Sequence, residues 1–455
     1  MMLPVGEPMS LSTETRPAPA RRPSRRSLAV PAEATQPASR LYRVIWRWHF
    51  YAGLIVAPVV IVMAATGALY IFKDELEEIF YAQQLFVEPG GDRLSYDEQV
   101  AAIESSLGEG FHVHQLHVFP DAERSTELSV NHGTEFRRVF FDPYRGTTLG
   151  YLGNNEFFGV VLKIHRTLFA GTLGRIVVEL VTCWTIVLLA SGVYLWRPRG
   201  RKRLWGAWLP RLRRHPYVTL RDLHAVSGAY VAIVLLVIAG TGMLYTYVWG
   251  TGYRYVANQT AAYDIFVNPP KSHSSAETPR LPLDAIVAAA DRTMPDATLS
   301  ITLPHDPDGA YVVFATRPLG PFSDELAVID HCTGEVIEHR LNREYSTLGW
   351  WATWNYPLHV GSVLGWWTKV PWLVACLVLM LLPVTGVWMW WQRRPRGRTG
   401  FPRKVQSRIP RTLVLGIVLL GAVLPALGLS VVAILLGDVA VNRLRGRRAA
   451  SSATA

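Results

Sequence analysis

The chain contains few cysteines and none of the common redox-cysteine motifs. Only three occur in 455 residues, namely Cys183, Cys332 and Cys376. There is no CxxC pair and no CxxCH sequence. This excludes a thioredoxin-like site, a covalently attached c-type haem and a disulfide framework.

Nucleotide-binding fingerprints are also missing. We find no Rossmann glycine pattern and no P-loop in the sequence, so a built-in nicotinamide or ATP site is not expected. The long apolar stretches lack the paired mid-membrane acids and broken helices that transporter sites use, which disfavours a transporter.

Long apolar runs dominate what is present. Five of them reach the roughly 20 residues that a hydrocarbon core requires. They cover approximately residues 50–72, 174–196, 225–249, 367–391 and 412–437. The sequence therefore predicts an α-helical integral membrane protein that contacts the lipid bilayer.

Basic residues account for a net charge of +11 and cluster beside these runs, within 21–43, 197–214 and 393–404. The positive-inside rule places all three clusters in the cytoplasm. Because each cluster adjoins a predicted span, it does not favour nucleic acid as a partner. The segments 73–172 and 250–366 then lie outside. Residues 1–39, rich in Pro, Ala, Ser and Thr, predict a disordered cytoplasmic tail before an uncleaved first span.

A duplication relates the two halves of the chain. His49, Gly53 and Gly67 each recur 175 residues later, as His224, Gly228 and Gly242. The next spans repeat with an offset of 194 residues, which relates His165 to His359 and Ser191-Gly192 to Thr385-Gly386. Since corresponding spans run in the same direction, the repeats are parallel.

The two outer segments also resemble each other. Each predicts a short helix followed by strands, and each ends in a turn opened by Asp and closed by Gly, at 142–146 and 330–334. The fold class that follows is a helical membrane bundle of four core spans in two parallel repeats, a C-terminal hydrophobic segment, and two outer α+β domains.

The duplication singles out four of the thirteen histidines. By topology, His49 and His224 lie toward the inner face, and His165 and His359 lie toward the outer face. Two imidazoles from different helices can hold a haem iron by both axial positions, and a helical bundle suits the apolar macrocycle. We therefore expect two b-type haems, one for each pair, with these histidines as the ligands of the iron.

Glycines near these histidines support a flat cofactor. Gly53 and Gly228 lie one turn beyond the inner histidines on the same helix face, and Gly67 and Gly242 lie five turns beyond them. All four are expected to make room for haem. Arginines at the membrane edge are candidate partners for propionates, namely Arg43, Arg47, Arg166 and Arg221. The alternatives are interfacial histidines without a ligand role and direct binding of Zn, Cu or Fe.

Other features of the sequence give weaker indications of function or topology. His112 and His114 share a face of a predicted strand and are a weak metal-site candidate. Glu179 lies inside the second span, where we expect a simple ion pair with Arg175 one turn away. The C-terminal run is interrupted by Pro425 and Gly428 and followed by arginines, so both a kinked span and a re-entrant hairpin remain open.

The sequence resembles the PepSY-associated transmembrane family, whose members are often labelled iron-regulated membrane proteins. The matching motifs are Trp46-Arg-Trp-His49, Ile164-His-Arg166 with Gly171, Leu223-His-Ala225 with Gly228, and Pro357-Leu-His359 with Gly365. The resemblance covers roughly residues 41–440 and includes all four histidines. It implies a dihaem protein of the bacterial inner membrane that reduces a periplasmic ferric siderophore or another Fe(III) chelate and releases Fe(II).

The resemblance implies that the two outer segments are periplasmic PepSY-like domains. The expected order is tail, span 1, domain 1, pre-helix with span 2, basic loop, span 3, domain 2, pre-helix with span 4, basic loop and C-terminal segment. Their boundaries are 1–40, 41–72, 73–160, 161–197, 198–220, 221–249, 250–350, 351–392, 393–411 and 412–441.

The functional hypothesis is a ferric-chelate reductase, an enzyme of electron transfer. Without a nucleotide motif, its electrons must come from a quinol or a separate reductase. The main alternative is a regulatory protein whose PepSY domains bind peptides or modulate peptidases, followed by a transporter. The sequence identifies no catalytic residue, siderophore or oligomeric state.

Overall fold

The fold was analysed in a computed structural model of the whole chain. It describes residues 39–107, 110–132, 135–198, 204–260, 270–272, 279–317, 320–395, 397–402 and 410–453, with side chains up to residue 444. Most of the expected N-terminal tail, residues 1–38, and parts of both basic loops lie outside these ranges.

Long apolar helices form the bundle. Five described helices are long and apolar enough to cross a membrane, and the protein is a multi-pass membrane protein. Four of them are the core spans α1 (Arg40–Ile71), α6 (Gly171–Trp196), α7 (Pro216–Gly242) and α11 (Trp366–Arg393). A short 3-10 turn, Met243–Tyr245, extends α7.

The four core spans close into a ring. Helix α1 packs against α6 and α11, and α7 packs against the same two helices. Each span thus has two neighbours, and the ring encloses space that side chains from all four helices line.

Shorter helices connect the spans to the sheet. They are α2 (Lys73–Phe80), α3 (Ala82–Leu85), α4 (Tyr96–Leu107), α5 (Phe157–Thr167), α8 (Val248–Gln259), α9 (Leu283–Thr293) and α10 (Thr347–Val360). Helices α5 and α10 precede spans α6 and α11. A left-handed residue ends each of them, Leu168 with φ 48° and Gly361 with φ 74°, so the chain turns sharply before the span begins.

Eight antiparallel strands make one sheet in the order β4-β3-β2-β1-β5-β6-β7-β8. The strands are β1 (His112–Val118), β2 (Thr126–His132), β3 (Glu135–Asp142), β4 (Thr147–Gly153), β5 (Thr298–Thr302), β6 (Tyr311–Thr316), β7 (Glu325–Ile329) and β8 (Val336–Leu341).

This sheet differs from the two separate outer domains that the sequence predicted. Strands β1 and β5 pair antiparallel, with Leu116 opposite Ile301, so the two four-stranded units share one sheet. The pairing removes two exposed strand edges, which isolated domains would have to protect. One apolar core spans both halves and includes Ile103 of α4 and Ile286 of α9, both fully buried.

The C-terminal segment is a helical hairpin. Helix α12 (Arg411–Val423) ends at Leu424, and α13 (Pro425–Ala453) begins directly after it. The backbones of Gly421 and Gly428 touch, since a Cβ added to Gly428 would lie 2.7 Å from the Gly421 carbonyl oxygen. Seven residues apart in an unbroken helix, they would be about 10 Å apart. The chain therefore folds back here, which favours the hairpin over a kinked span.

Candidate functional site

Two histidine pairs line cavities bounded by the spans; they are called the inner pair (His49 and His224) and the outer pair (His165 and His359) after the orientation expected from the sequence. His49 on α1 and His224 on α7 have ring centroids 6.4 Å apart, with ring planes inclined by 80°. His165 on α5 and His359 on α10 have centroids 6.2 Å apart, inclined by 64°. The structure thus brings together the residues that the topology argument paired.

Each histidine binds a hydroxyl on a neighbouring helix through Nδ1. His49 contacts Ser191 Oγ at 2.8 Å and His224 contacts Thr385 Oγ1 at 2.9 Å. In the second pair, His165 contacts Thr66 Oγ1 at 2.9 Å and His359 contacts Thr241 Oγ1 at 3.1 Å. The four contacts follow one pattern, although they involve different helices.

This pattern favours one imidazole tautomer. Each hydroxyl has one hydrogen and donates it to a carbonyl three or four residues earlier in its own helix, for example Thr241 to Val237 at 2.7 Å. The other three do the same. A hydroxyl whose hydrogen is used in this way can accept from Nδ1–H. In that tautomer Nε2 carries the lone pair, and in all four rings Nε2 makes no hydrogen bond within the described part of the chain.

A glycine follows every one of these hydroxyl residues and faces the same ring. A Cβ added at Gly192 would lie 3.3 Å from His49 Cε1, and one at Gly386 would lie 3.6 Å from His224 Cε1. The corresponding distances are 3.4 Å from Gly67 to His165 and 3.0 Å from Gly242 to His359. The Ser/Thr-Gly dipeptide thus supplies both an acceptor for Nδ1 and room for the ring.

These contacts change the expected role of two glycines. Gly67 and Gly242 were expected to make room for a macrocycle, whereas the structure packs them directly against the histidine rings of the outer pair. Gly53 and Gly228 line the inner cavity, and an added Cβ would meet Leu188 at 3.8 Å and Leu382 at 3.3 Å, respectively. The hydroxyl partners were not selected from sequence, although the repeated Ser/Thr-Gly dipeptides carried the signal.

A cavity adjoins each pair. The inner one has a volume of about 660 Å³ and includes His49, His224, Arg43, Arg221 and Arg393 in its wall. The outer one has a volume of about 220 Å³ and includes His165, His359 and Arg166. Val60, Thr185 and Leu379 line both, so a single layer of side chains separates the two cavities.

The arginines at the cavities differ in their partners. Arg221 pairs with the buried Asp222 at 3.0 Å, and Arg393 lies over the Trp46 ring at 4.7 Å. Arg43 and Arg166 have no ion pair among the described residues; Arg166 lies over the Tyr245 ring at 5.7 Å. The guanidinium carbon of Arg47 lies 5.6 Å from the centroid of the Tyr51 ring, and Arg47 does not line either cavity.

The expected ion pair of Glu179 with Arg175 does not form. Glu179 is fully buried and accepts from the backbone N–H groups of Val248 and Trp249, at 2.7 and 3.0 Å. It thereby caps the start of α8, a favourable use of a carboxylate at a helix N-terminus. Arg175 instead donates to the carbonyls of Tyr245 and Thr246. Sequence spacing alone could not reveal these partners from another span.

The histidines of strand β1 do not form a cluster of three metal ligands among the described residues. His114 stacks on His305 with centroids 5.7 Å apart, and His117 bonds Ser300 and Ser129. His112 is exposed on the same strand.

Comparison with known proteins gives one family match. The sequence profile of the PepSY-associated TM region matches residues 46–393. No match was found among functionally curated proteins. The matched range contains the four core spans, both histidine pairs and the sheet, and the chain therefore belongs to the PepSY-associated TM region family.

Proposed function

We propose that the protein is a dihaem b-type oxidoreductase that passes electrons across the bacterial inner membrane to a periplasmic Fe(III) chelate such as a ferric siderophore. In this proposal the N-terminus is cytoplasmic and the sheet is periplasmic. His49 and His224 hold the inner haem, and His165 and His359 hold the outer one.

The observation that carries the proposal is the common state of the four imidazoles. Each contacts a Ser or Thr hydroxyl through Nδ1, an arrangement that leaves Nε2 available as a ligand atom, and each lines a cavity. Metal-ligating histidines use this arrangement, because the second-shell acceptor fixes the tautomer and raises the basicity of the ligand nitrogen. Interfacial histidines without a ligand role would not need it four times.

The spacing within each pair also fits. An iron bound by two imidazole nitrogens at about 2 Å each separates the ring centres by roughly 6 Å. The two observed separations are 6.4 and 6.2 Å. Direct binding of a bare ion is less well supported, because each pair offers only two ligands.

The residues that line the cavities are suited to both the apolar ring and the charged propionates of haem. Apolar side chains and glycines of the spans suit a macrocycle, and Arg43 and Arg166 are available for its propionate carboxylates. The inner cavity, at about 660 Å³, falls within the usual range for cofactor sites. The outer cavity, at about 220 Å³, is smaller than that range, and Tyr70, Tyr245, Tyr356 and Trp372 are part of its wall.

Bound haem supplies a one-electron Fe(III)/Fe(II) couple, and the residues of the chain hold and orient it. The hydroxyls keep the imidazoles in the ligand tautomer, and the surrounding apolar side chains exclude water. Because Val60, Thr185 and Leu379 line both cavities, the two sites adjoin and could form one conduit.

The expected acceptor is a ferric chelate at the outer side. One electron converts its Fe(III) to Fe(II), which hard oxygen ligands bind less tightly, so the iron is released. A quinol or a separate reductase supplies the electron at the inner side, since the sequence contains no nucleotide-binding motif.

Absorption spectroscopy tests this proposal. The purified protein should show a Soret band that shifts on dithionite reduction, and adding a ferric hydroxamate or catecholate in the absence of air should reverse the shift. A peptide-binding regulator would show no such band. A protein with a haem spectrum that Fe(III) chelates cannot reoxidise would contradict the proposed acceptor.

A further inference from the structure

Three consecutive residues in the turn between β7 and β8 present different metal-ligand types. Asp330, His331 and Cys332 each offer one ligand atom, and these atoms lie within 4.8 Å of one another. They form a cluster of oxygen, nitrogen and sulfur donors, and none of the three residues lines the cavity of either histidine pair.

His331 is the unusual member. Its side chain is fully buried, yet neither Nδ1 nor Nε2 has a hydrogen-bond partner among the described residues. Buried polar atoms in folded proteins are nearly always satisfied, and an exception requires an explanation, of which a bound ion is one. The imidazole nevertheless lies beside a carboxylate and a thiol, so it has ligand neighbours without a bonding partner of its own.

The matched turn in the other half shows what the turn itself requires. There, Asp142 Oδ1 accepts the backbone N–H groups of Tyr144 and Arg145. Asp330 Oδ1 accepts those of Cys332 and Thr333 in the same way. The closing glycines have similar conformations, with φ 67° at Gly146 and 70° at Gly334.

The aspartate and the glycine are therefore explained by turn geometry, whereas the intervening residues are not. Pro143 and Tyr144 stand where the second turn has His331 and Cys332. A turn of this form needs neither an imidazole nor a thiol, so these two side chains serve something other than the backbone conformation.

Neighbouring groups prepare the cluster for a cation. Ser272 Oγ donates to Asp330 Oδ2 at 2.5 Å, which orients the carboxylate from outside the cluster. Asp308 interacts electrostatically with His331 while also pairing with Lys271 at 2.6 Å.

We propose that Asp330, His331 and Cys332 form a binding site for one divalent transition-metal ion of the Zn²⁺ type. Mixed nitrogen, sulfur and oxygen ligands suit Zn²⁺, whereas Ca²⁺ and Mg²⁺ prefer oxygen alone. Ligand distances of about 2.0–2.3 Å require the three atoms to close in slightly around the ion. The Cys332 thiol loses its proton to solvent on binding, and a fourth position remains for water.

This site is independent of the proposed electron transfer, because its residues touch neither histidine pair. It would give one half of the sheet a bound ion that the other half lacks. A role in holding the β7–β8 turn follows directly, since the ion would tie three successive turn residues together.

Zinc titration of the full-length protein in detergent tests the site. After treatment with a chelator, wild-type protein should bind one more Zn²⁺ than Cys332→Ser, or bind it at least about tenfold more tightly. Cys183→Ser, which removes a buried thiol in α6, should bind zinc as the wild type does. Comparing variants separates this site from any zinc held by the histidines of the spans.

Alkylation provides a second measurement that does not depend on a variant. Added Zn²⁺ should slow the reaction of Cys332 with a maleimide, as measured by mass spectrometry, and Ca²⁺ should not. Equal zinc binding by the wild type and Cys332→Ser, or equal alkylation with and without Zn²⁺, would overturn the proposal.

Discussion

Single hydroxyl groups contact Nδ1 of the paired histidines. Ser191 accepts from His49 Nδ1 while donating to the Leu188 carbonyl. Ser227 on α7 donates to the Leu223 carbonyl in a similar way, but it makes no hydrogen bond to a histidine among the described residues and does not line either cavity. The two serines therefore differ mainly in that Ser191 also contacts Nδ1 of a histidine.

We expect Ser191→Ala to weaken haem binding at the inner pair by about 10- to 100-fold, because His49 loses the acceptor that fixes its tautomer. Haem titration of the apoprotein, with Ser227→Ala as the matched control, measures the difference. Equal affinity in the two variants would show that the hydroxyl does not orient a ligand.

The buried carboxyl of Asp324 should make the stability of the sheet depend on pH. Burial raises the pKa of this carboxyl to about 6, although nearby Arg317 opposes the change, and Oδ1 has no hydrogen-bond partner among the described residues. An acid whose folded pKa is raised stabilises the fold at low pH. That stability is lost as the pH rises from about 4 through about 6.

Asp324→Asn should therefore stabilise the sheet at pH 7.5 by on the order of 2 kcal/mol and have little effect near pH 4. Thermal unfolding in detergent as a function of pH measures this change. The exposed Asp296→Asn should show no comparable gain. A stabilisation that is the same at both pH values would contradict the titration argument.

At the scale of elements, close helix–ring contacts limit what the spans can tolerate. A Cβ at position 242 would lie 3.0 Å from His359 Cε1, while a Cβ at position 240 of the same helix meets nothing within 4 Å. Gly242→Ala must therefore displace the ring, and Gly240→Ala need not.

We expect Gly242→Ala to lower haem occupancy at the outer pair and to leave the inner pair occupied. Gly240→Ala should keep both and slightly stabilise the helix, since alanine is the better helix former by about 1 kcal/mol. Spectra of the reduced variants report the two sites. Loss of haem in both variants would indicate general damage to α7 instead.

The sequence predicted individual helices and strands better than the contacts between distant ones. Apolar length and the repeat offsets were sufficient for the core spans and for the two histidine pairs, because both depend on local pattern and depth. The shared sheet was not predicted, since the β1–β5 contact joins residues almost 190 apart in sequence. The capping of α8 by Glu179 was missed for the same reason, because its partners belong to a distant segment.

At the scale of the whole molecule, equivalent contacts recur at two places in the bundle. In both pairs a Ser/Thr-Gly dipeptide from a neighbouring helix receives each imidazole, although the inner pair uses α6 and α11 and the outer pair uses α1 and α7. The β7–β8 turn departs from this symmetry, because its His331 and Cys332 have no counterparts in the β3–β4 turn.

The haem content of histidine variants tests whether the two pairs hold one haem each. We expect two haems per chain in the wild type and one in each of His49→Ala, His224→Ala, His165→Ala and His359→Ala. Combining His49→Ala with His224→Ala should still leave one haem, whereas combining His49→Ala with His165→Ala should leave none. Full haem content in any single variant, or loss of both haems in the His49→Ala, His224→Ala double variant, would contradict the pairing.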